Sequence, residues 1–355
     1  MKLAVKDARC RVIRAPLSSP FRIATGQHDF LENVFLTVEL NNGIKGFGEA
    51  AVATHITGET IPQTLSNLED IARAFRGCDV SEPLALLGAM RLKLKGNHAA
   101  LAAVEMAVLD ALARYLRIPF WKLFGPKASV VATDITIVIG TLKEAEAGAK
   151  DFYKRGFRSF KIKVGRDIDL DFKRVLAVQR LAPKAAIILD ANQSFTADAM
   201  LVFLRQLRAK GVATSLIEQP VPKKDIEGLS KVTRLARTLV CADESAGSIL
   251  DVKKLIRKKA VTAVNIKFMK TGILESMEIA SFARQNGLGL MMGAMMESSL
   301  AITAAAQFAA GLGCFQFIDL DTTFFIKGKM ARSPYLDRRG VFSFSETSGG
   351  IGITV

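Results

Sequence analysis

From residue 134 onward the chain repeats a beat that few folds can use. Short β-rich runs stand at 134–140 (DITIVIG), 159–164 (SFKIKV), 186–190 (AIILD), 215–219 (SLIEQ), 239–243 (LVCAD), 263–267 (AVNIK), 288–293 (LGLMMG) and 315–320 (FQFIDL). Helix-patterned segments such as EAEAGAKDFYKRG, DLDFKRVLAVQRL and ESMEIASFARQNG lie between them. This alternation predicts a parallel sheet with right-handed crossovers. Eight such units in roughly 190 residues predict a (β/α)8 barrel, with a doubly wound sheet as the alternative. No GxGxxG or GxxxxGK(S/T) follows any run, which counts against a nucleotide-binding sheet.

The first 125 residues are ordered differently, strands first and then helices. Segments 33–40 and 44–50 flank Asn41-Asn42-Gly43, a hairpin turn signal. Helical patterns follow near 60–76, 83–95 and 98–116. The last is apolar around most of its circumference, as expected of a helix buried against another layer. Gly125-Pro126 closes this part.

In barrels, chemistry sits where the strands end. Those ends carry Lys161 and Lys163, then Asp190, Glu218, Asp243 and Lys267, spaced by 27, 28, 25 and 24 residues from Lys163 onward. A lone Asp after a strand is usually a turn or cap residue. Three carboxylates on consecutive strands are different, because they repel one another unless a hard cation neutralises them. An oxygen-lined site of this kind suits Mg²⁺. Lys163 and Lys267, on the second and sixth strands, approach that site from opposite sides. Two bases on opposite faces of one carbon are what inversion of a stereocentre requires. Such a proton is too weakly acidic for a lysine alone, so the metal and Lys161 must stabilise the enediolate that forms.

FQFIDLDTTFFI sets Asp319 and Asp321 two residues apart in an apolar run. On a strand they share a face, and burying two like charges calls for a cation beside them. A metal ion, a lysine such as Lys327, or part of a substrate would each serve.

Composition removes several classes of function. The net charge is +15, yet the lysines are dispersed in pairs such as Lys223–Lys224 and Lys258–Lys259, without the basic-aromatic interleaving of a nucleic-acid groove. No apolar run is long enough to span a bilayer, and the start lacks a signal-peptide core. Four cysteines (Cys10, Cys78, Cys241, Cys314) are widely spaced without a CxxC pair, as expected of reduced structural thiols in a cytoplasmic protein.

The motifs KIKVG (161–165), LDANQ (189–193), IEQP (217–220), ADES (242–245), NIKFMKTG (265–272) and GFGEA (46–50) together resemble the muconate-lactonizing subgroup of the enolase superfamily, over nearly the whole chain. The resemblance implies an α+β capping domain at 1–125, a barrel at 126–325, and a segment from 326 to 355 that returns to the cap. It implies Asp190, Glu218 and Asp243 as ligands of one Mg²⁺ per site, Lys163 and Lys267 as the acid/base pair, and Lys161 as their electrostatic partner. Dipeptide epimerases of this subgroup carry an eighth-strand DxD that binds the α-ammonium of the substrate, which Asp319 and Asp321 match. Met295, Met296 and Glu297 fall in the seventh-strand loop, where the family holds the substrate. Relatives with this architecture often form closed symmetric assemblies, so a homo-oligomer is an open option.

Two capping loops, 20–30 and 52–60, are expected to tune specificity. Ala-Glu epimerases place an arginine where this chain has Gly26, although Arg22 lies close by. Cation-specific relatives place an acid where this chain has Met296. Both departures predict a Mg²⁺-dependent epimerase of L-Ala-L-Xaa dipeptides with broad or hydrophobic preference. The alternatives are an L-Ala-D/L-Glu epimerase, an N-acylamino acid racemase and an o-succinylbenzoate synthase.

Overall fold

A computed structural model describes residues 3–24, 26–128, 130–344 and 349–355, with only the backbone for His55. Strands Val5–Ile23, Gly26–Leu40 and Lys45–Ala50 form an antiparallel sheet in that order. The predicted turn joins the last two, with Gly43 at φ +82°. Helices Ile61–Phe75, Pro83–Lys93 and His98–Tyr115 follow, close to the three predicted segments. The last packs its backbone directly onto strand Lys45–Ala50. A Cβ at Gly46 or Gly48 would overlap the carbonyl oxygen of Ala107 or Ala103. The alternating glycines of GFGEA therefore leave one strand face bare for the helix.

The segment expected as a loop at 20–30 is largely paired. After an irregularity between Pro16 and Phe21, pairing resumes as Phe21↔His28, Arg22↔Gln27 and Ile23↔Gly26. Proline has no N–H to give the ladder, which accounts for the break around Pro16 and Pro20. Thr25 lies outside the described residues.

The barrel strands are Ile135–Ile137, Ser159–Lys163, Ala186–Asp190, Thr214–Glu218, Leu239–Ala242, Ala263–Ile266, Gly289–Gly293 and Phe317–Asp319. They neighbour one another strictly in chain order, all parallel. A doubly wound sheet would reverse that order part-way. Three bonds join the first strand region to the eighth: Asp134 N to Ile318 O (2.8 Å), Leu320 N to Thr133 Oγ1 (2.8 Å) and Thr136 N to Asp321 Oδ2 (2.6 Å). The sheet is thereby closed. Ile188, Leu216, Cys241, Ala263 and Met291 form a small apolar cluster of their own, separate from the main core.

Helices after the strands begin at side-chain caps: Thr141, Asp167, Thr196, Asp225, Ser248 and Ser298 each accept a bond from the first turn. Phe268–Gln285 is the exception, because Lys267 occupies its cap position and turns its side chain elsewhere. That helix breaks at Gly272 (φ +77°, ψ 179°). The capping-sheet helix supplies the missing cap there, as the Glu105 carboxylate accepts from Ile273 N and from Leu274 N (3.0 Å). At the end of the chain, Ile351 N donates to Asp110 Oδ1 (2.6 Å) and Arg114 to Ile353 O (2.7 Å), both on helix His98–Tyr115. Among the described residues no helix is long and apolar enough to cross a membrane.

Candidate active site

The carboxyl ends of the barrel strands bring Lys161, Lys163, Asp190, Glu218, Asp243, Lys267, Asp319 and Asp321 into one buried network. Register accounts for much of it, since Lys163↔Asp190 and Asp190↔Glu218 are direct neighbours. Lys161 Nζ lies 2.9 Å from Asp190 Oδ2, 2.7 Å from Glu218 Oε2 and 2.6 Å from Asp319 Oδ2. Lys163 Nζ donates to Asp190 Oδ2 (2.6 Å) and Asn192 Oδ1 (3.2 Å). Across the barrel, Lys267 Nζ donates to Asp243 Oδ2 (2.8 Å), while Lys270 holds Asp243 Oδ1 and Asp243 O, both at 2.7 Å. Strands two and six are half a turn apart in a ring of eight, so the two lysines face each other across the mouth.

The backbone around the acids is held in an uncommon conformation. Of six described non-glycine residues with positive φ, three follow these strand ends: Asn192, Gln193 and Gln219. Such strain persists only where the surroundings over-determine it. Gln219 shows how: its Oε1 accepts from Asp243 N and Ser245 N (3.0 Å each), and its Nε2 donates to Ser245 Oγ (2.8 Å). One side chain thus locks the end of the fourth strand to the end of the fifth.

Charge is distributed unevenly. Burial pushes Asp190, Glu218 and Asp243 upward, yet Lys161 and Lys163 hold Asp190 below the usual carboxylate range, and Lys267 with Lys270 does the same for Asp243. Burial and the neighbouring Asp190 instead raise Glu218 to about 7. Its Oε2 is paired with the Lys161 ammonium, and its Oε1 accepts from Asn265 Nδ2 (2.8 Å). Burial opposes protonation of Lys267, but Asp243 and Glu218 overcome it and lift its pKa above the ordinary lysine value. A buried, all-oxygen set of three acids on consecutive strand ends, Asp190, Glu218 and Asp243, fits a hard divalent cation.

A second acidic group stands beside the first. Oxygens of Asp134, Asp319 and Asp321 lie within 4.8 Å of one another, all buried. Asp321 already belongs to a turn (φ −97°, ψ −3°) beyond the strand, and its carboxylate still converges with that of Asp319. Burial and Asp319 raise Asp321 to about 7. The cation against Asp319 is Lys161; Lys327, considered from sequence, is exposed.

Lys161, Lys163, Lys267, Asp319 and Asp321 border a pocket of about 60 Å³, together with Thr136, Asn192 and Thr322. Its apolar wall comes from Phe21, Ile23, Ala53 and Ile56 of the cap and from Ala294, Met295 and Met296 of the seventh-strand loop, with His28 completing it. A larger cavity of about 600 Å³ beyond Ile56 holds exposed Lys223, Lys224 and Lys254 but no opposed acid/base pair, so the chemistry belongs to the smaller one. Arg22 does not reach the pocket. Its guanidinium donates to Gln27 Oε1 (3.1 Å) and lies 3.7 Å from Glu144. Gly26 is at the exposed hairpin end, with nothing within 4 Å of where a Cβ would stand.

The sequence models agree with this geometry. Residues 7–125 match the mandelate racemase/muconate lactonizing enzyme N-terminal domain, and 144–355 match the enolase C-terminal domain-like family. The chain belongs to the enolase superfamily. A hydrophobic dipeptide epimerase of Citrifermentans bemidjiense is 56% identical over 98% of this chain and 97% of its own length. The dipeptide epimerase of Enterococcus faecalis V583, solved with Mg and L-Leu-L-Tyr, superposes with a TM-score of 0.93 at 31% identity and full coverage of both chains. The substrate-liganded L-Ala-D/L-Glu epimerase of Bacillus subtilis gives 0.92 at 30% identity, covering 99% of this chain and 98% of that one.

Within this enolase-superfamily site, sequence reasoning passed over Asp134, Asn192, Lys270 and His28. Lys270 stood in a quoted motif, three residues beyond Lys267. Asp134 precedes a strand, where acids are ordinarily exposed turn residues, and nothing local marks it as buried.

Proposed function

We propose that this chain is a Mg²⁺-dependent dipeptide epimerase, inverting the α-carbon of the carboxyl-terminal residue of L-Ala-L-Xaa dipeptides with hydrophobic preference. The observation that carries the reading is the pair of lysines opposed across the mouth, with carboxylates that recognise an ammonium ion beside them. The free α-ammonium of a dipeptide offers three donors, and Asp319 and Asp321 accept them with charge assistance. N-acylated amino acids and muconate carry no such cation.

With the substrate so anchored, its carboxyl-terminal α-carbon lies between Lys163 and Lys267. One lysine, as the neutral amine, takes the α-proton from one face. The other, as the ammonium, delivers a proton to the opposite face, and the reverse direction exchanges their roles. Asp243 and Glu218 favour the ammonium form of Lys267. Lys161, an ammonium on the same network, stabilises the negative charge that moves onto the substrate carboxylate. Asp190, Glu218 and Asp243 would hold Mg²⁺, which supplies Lewis-acid stabilisation of that carboxylate when bound.

Hydrophobic preference is supported by the wall of Phe21, Ile23, Ile56, Met295 and Met296, and by Arg22 turning outward. At about 60 Å³ the pocket is smaller than ligand sites of ~300 Å³ and above. Admission of a dipeptide therefore requires the cap segments carrying Phe21, Ile23 and Ile56 to move. The test is a library of L,L-dipeptides incubated in D₂O with Mg²⁺ and read by mass spectrometry. Uptake of one deuterium on L-Ala-L-Leu-type members is expected. Racemisation of N-succinylamino acids without dipeptide exchange would overturn the substrate class.

A further inference from the structure

Asn33 and Glu49 belong to neighbouring strands of the capping sheet, Asn33 two residues before Phe35, the partner of Glu49, and both are almost fully buried. Three of the four donors to Glu49 come from across the interface. Its Oε1 accepts from Ser298 N (2.9 Å), and its Oε2 from Ser298 Oγ (2.6 Å) and Ala301 N (3.2 Å). Asn33 Nδ2 donates to Glu49 Oε1 (2.6 Å) and to Met296 O (2.9 Å). A capping-sheet amide and carboxylate therefore grip the middle and the helix end of the short loop between the seventh barrel strand and its helix. That loop carries Ala294, Met295 and Met296 to the pocket. On its far side, Thr322 Oγ1, next to Asp321, donates to Glu297 O (2.7 Å).

Removing a carboxylate from water costs several kcal/mol unless donors replace the lost hydration. Burial does raise Glu49, and its four donors counter that effect. Ser298 accepts from Leu300 N (3.2 Å), and Glu49 takes Ala301 N, another of the orphan donors in the first helical turn. Helix capping thus accounts for Glu49's bonds to the helix start but leaves the Asn33 bond to Met296 O without a purpose. Fixing the loop explains it. We infer that Asn33 and Glu49 are positioning residues that hold the Met295–Met296 wall at the width suited to a hydrophobic side chain. Neither touches the reacting atoms. The inference rests on the dipeptide epimerase reading.

The test uses the full chain with Mg²⁺ and follows α-deuteration of L-Ala-L-Leu and L-Ala-L-Ala. Asn33→Ala cuts the tether to Met296 O and leaves the Glu49–Ser298 bonds in place. A misplaced wall is expected to raise KM for L-Ala-L-Leu by about 5- to 10-fold, with kcat within about twofold. The Leu-over-Ala preference should shrink by a similar factor, while Mg²⁺ affinity by calorimetry stays the same. A merely structural role would lower active fraction and kcat for both dipeptides alike. An unchanged preference, or a parallel loss on both substrates, overturns the inference. Glu49→Gln, which retains a carbonyl acceptor, is read by the same ratio if Asn33→Ala does not fold. If the unmodified chain exchanges neither dipeptide, it is the epimerase reading that fails.

Discussion

Replacing Asp321 by Asn separates recognition of an ammonium ion from everything else the site does. Asp321 is buried and accepts from Thr136 N at 2.6 Å, a bond that an amide oxygen preserves. The substitution keeps the shape and removes the charge. A hydrogen bond to a charged group is worth ~1.5–3 kcal/mol, so kcat/KM for a dipeptide should fall by about 10- to 150-fold. The pH profile sharpens the test. Burial and Asp319 place the Asp321 carboxyl at about 7, so lowering pH through that value protonates it and cancels the charge the substrate ammonium needs. A dipeptide amine loses its own proton above about 8. With Mg²⁺ saturating, so that the cation keeps Glu218 ionised, the unmodified chain should therefore show a narrow bell in kcat/KM between these limits, and Asp321→Asn should lose the acid limb. Initial α-deuteration rates across the pH range measure both. Activity on dipeptides within twofold of the unmodified chain, with the acid limb intact, would refute the assignment.

Glu297 gives a stability test. Burial, against a bond from Met295 N (2.8 Å), lifts it from 4.5 to about 8. The folded state then holds a proton that the unfolded chain releases above about 4.5. Its contribution is full below that pH and is lost as pH rises through about 8. Glu297→Gln should flatten the decline in urea-unfolding stability over this window; an unchanged slope would count against the buried acid as its cause. Mg²⁺ gives another test, since a ligand of the native state alone stabilises by ~2.7 kcal/mol at a hundredfold excess over Kd. The thermal midpoint should rise with Mg²⁺ and return with chelator, and Glu218→Gln should abolish most of the rise.

Much of the barrel was legible because its signal is local. Each strand is a short β-rich run, and each charged strand end recurs at the period of one βα unit. Lys163, Asp190, Glu218, Asp243 and Lys267 could be placed in one mouth by counting. Residues that act across elements left no such trace. Asp134 opens the first β-rich run, and nothing marks it as buried until the first strand closes on the eighth. Asn33 and Glu49 are two polar positions in an otherwise ordinary hairpin, and their partners lie more than two hundred and forty residues away. The first capping segment was misjudged for a related reason. The resemblance implies a loop at 20–30, but beyond the register shift between Pro16 and Phe21 the hairpin pairs again out to Ile23↔Gly26. That extension turns Arg22 toward Glu144 and leaves Phe21, Ile23 and His28 to face the pocket.

The central claim is inversion by two lysines on opposite faces of one carbon, and it is tested by the two half-reactions. Lys163→Ala and Lys267→Ala should each abolish epimerisation. Each should retain α-proton exchange with solvent for only one epimer, L-Ala-L-Leu or L-Ala-D-Leu, and the two variants should choose opposite epimers. Exchange of the same epimer by both variants, or of both epimers by either one, would contradict the account.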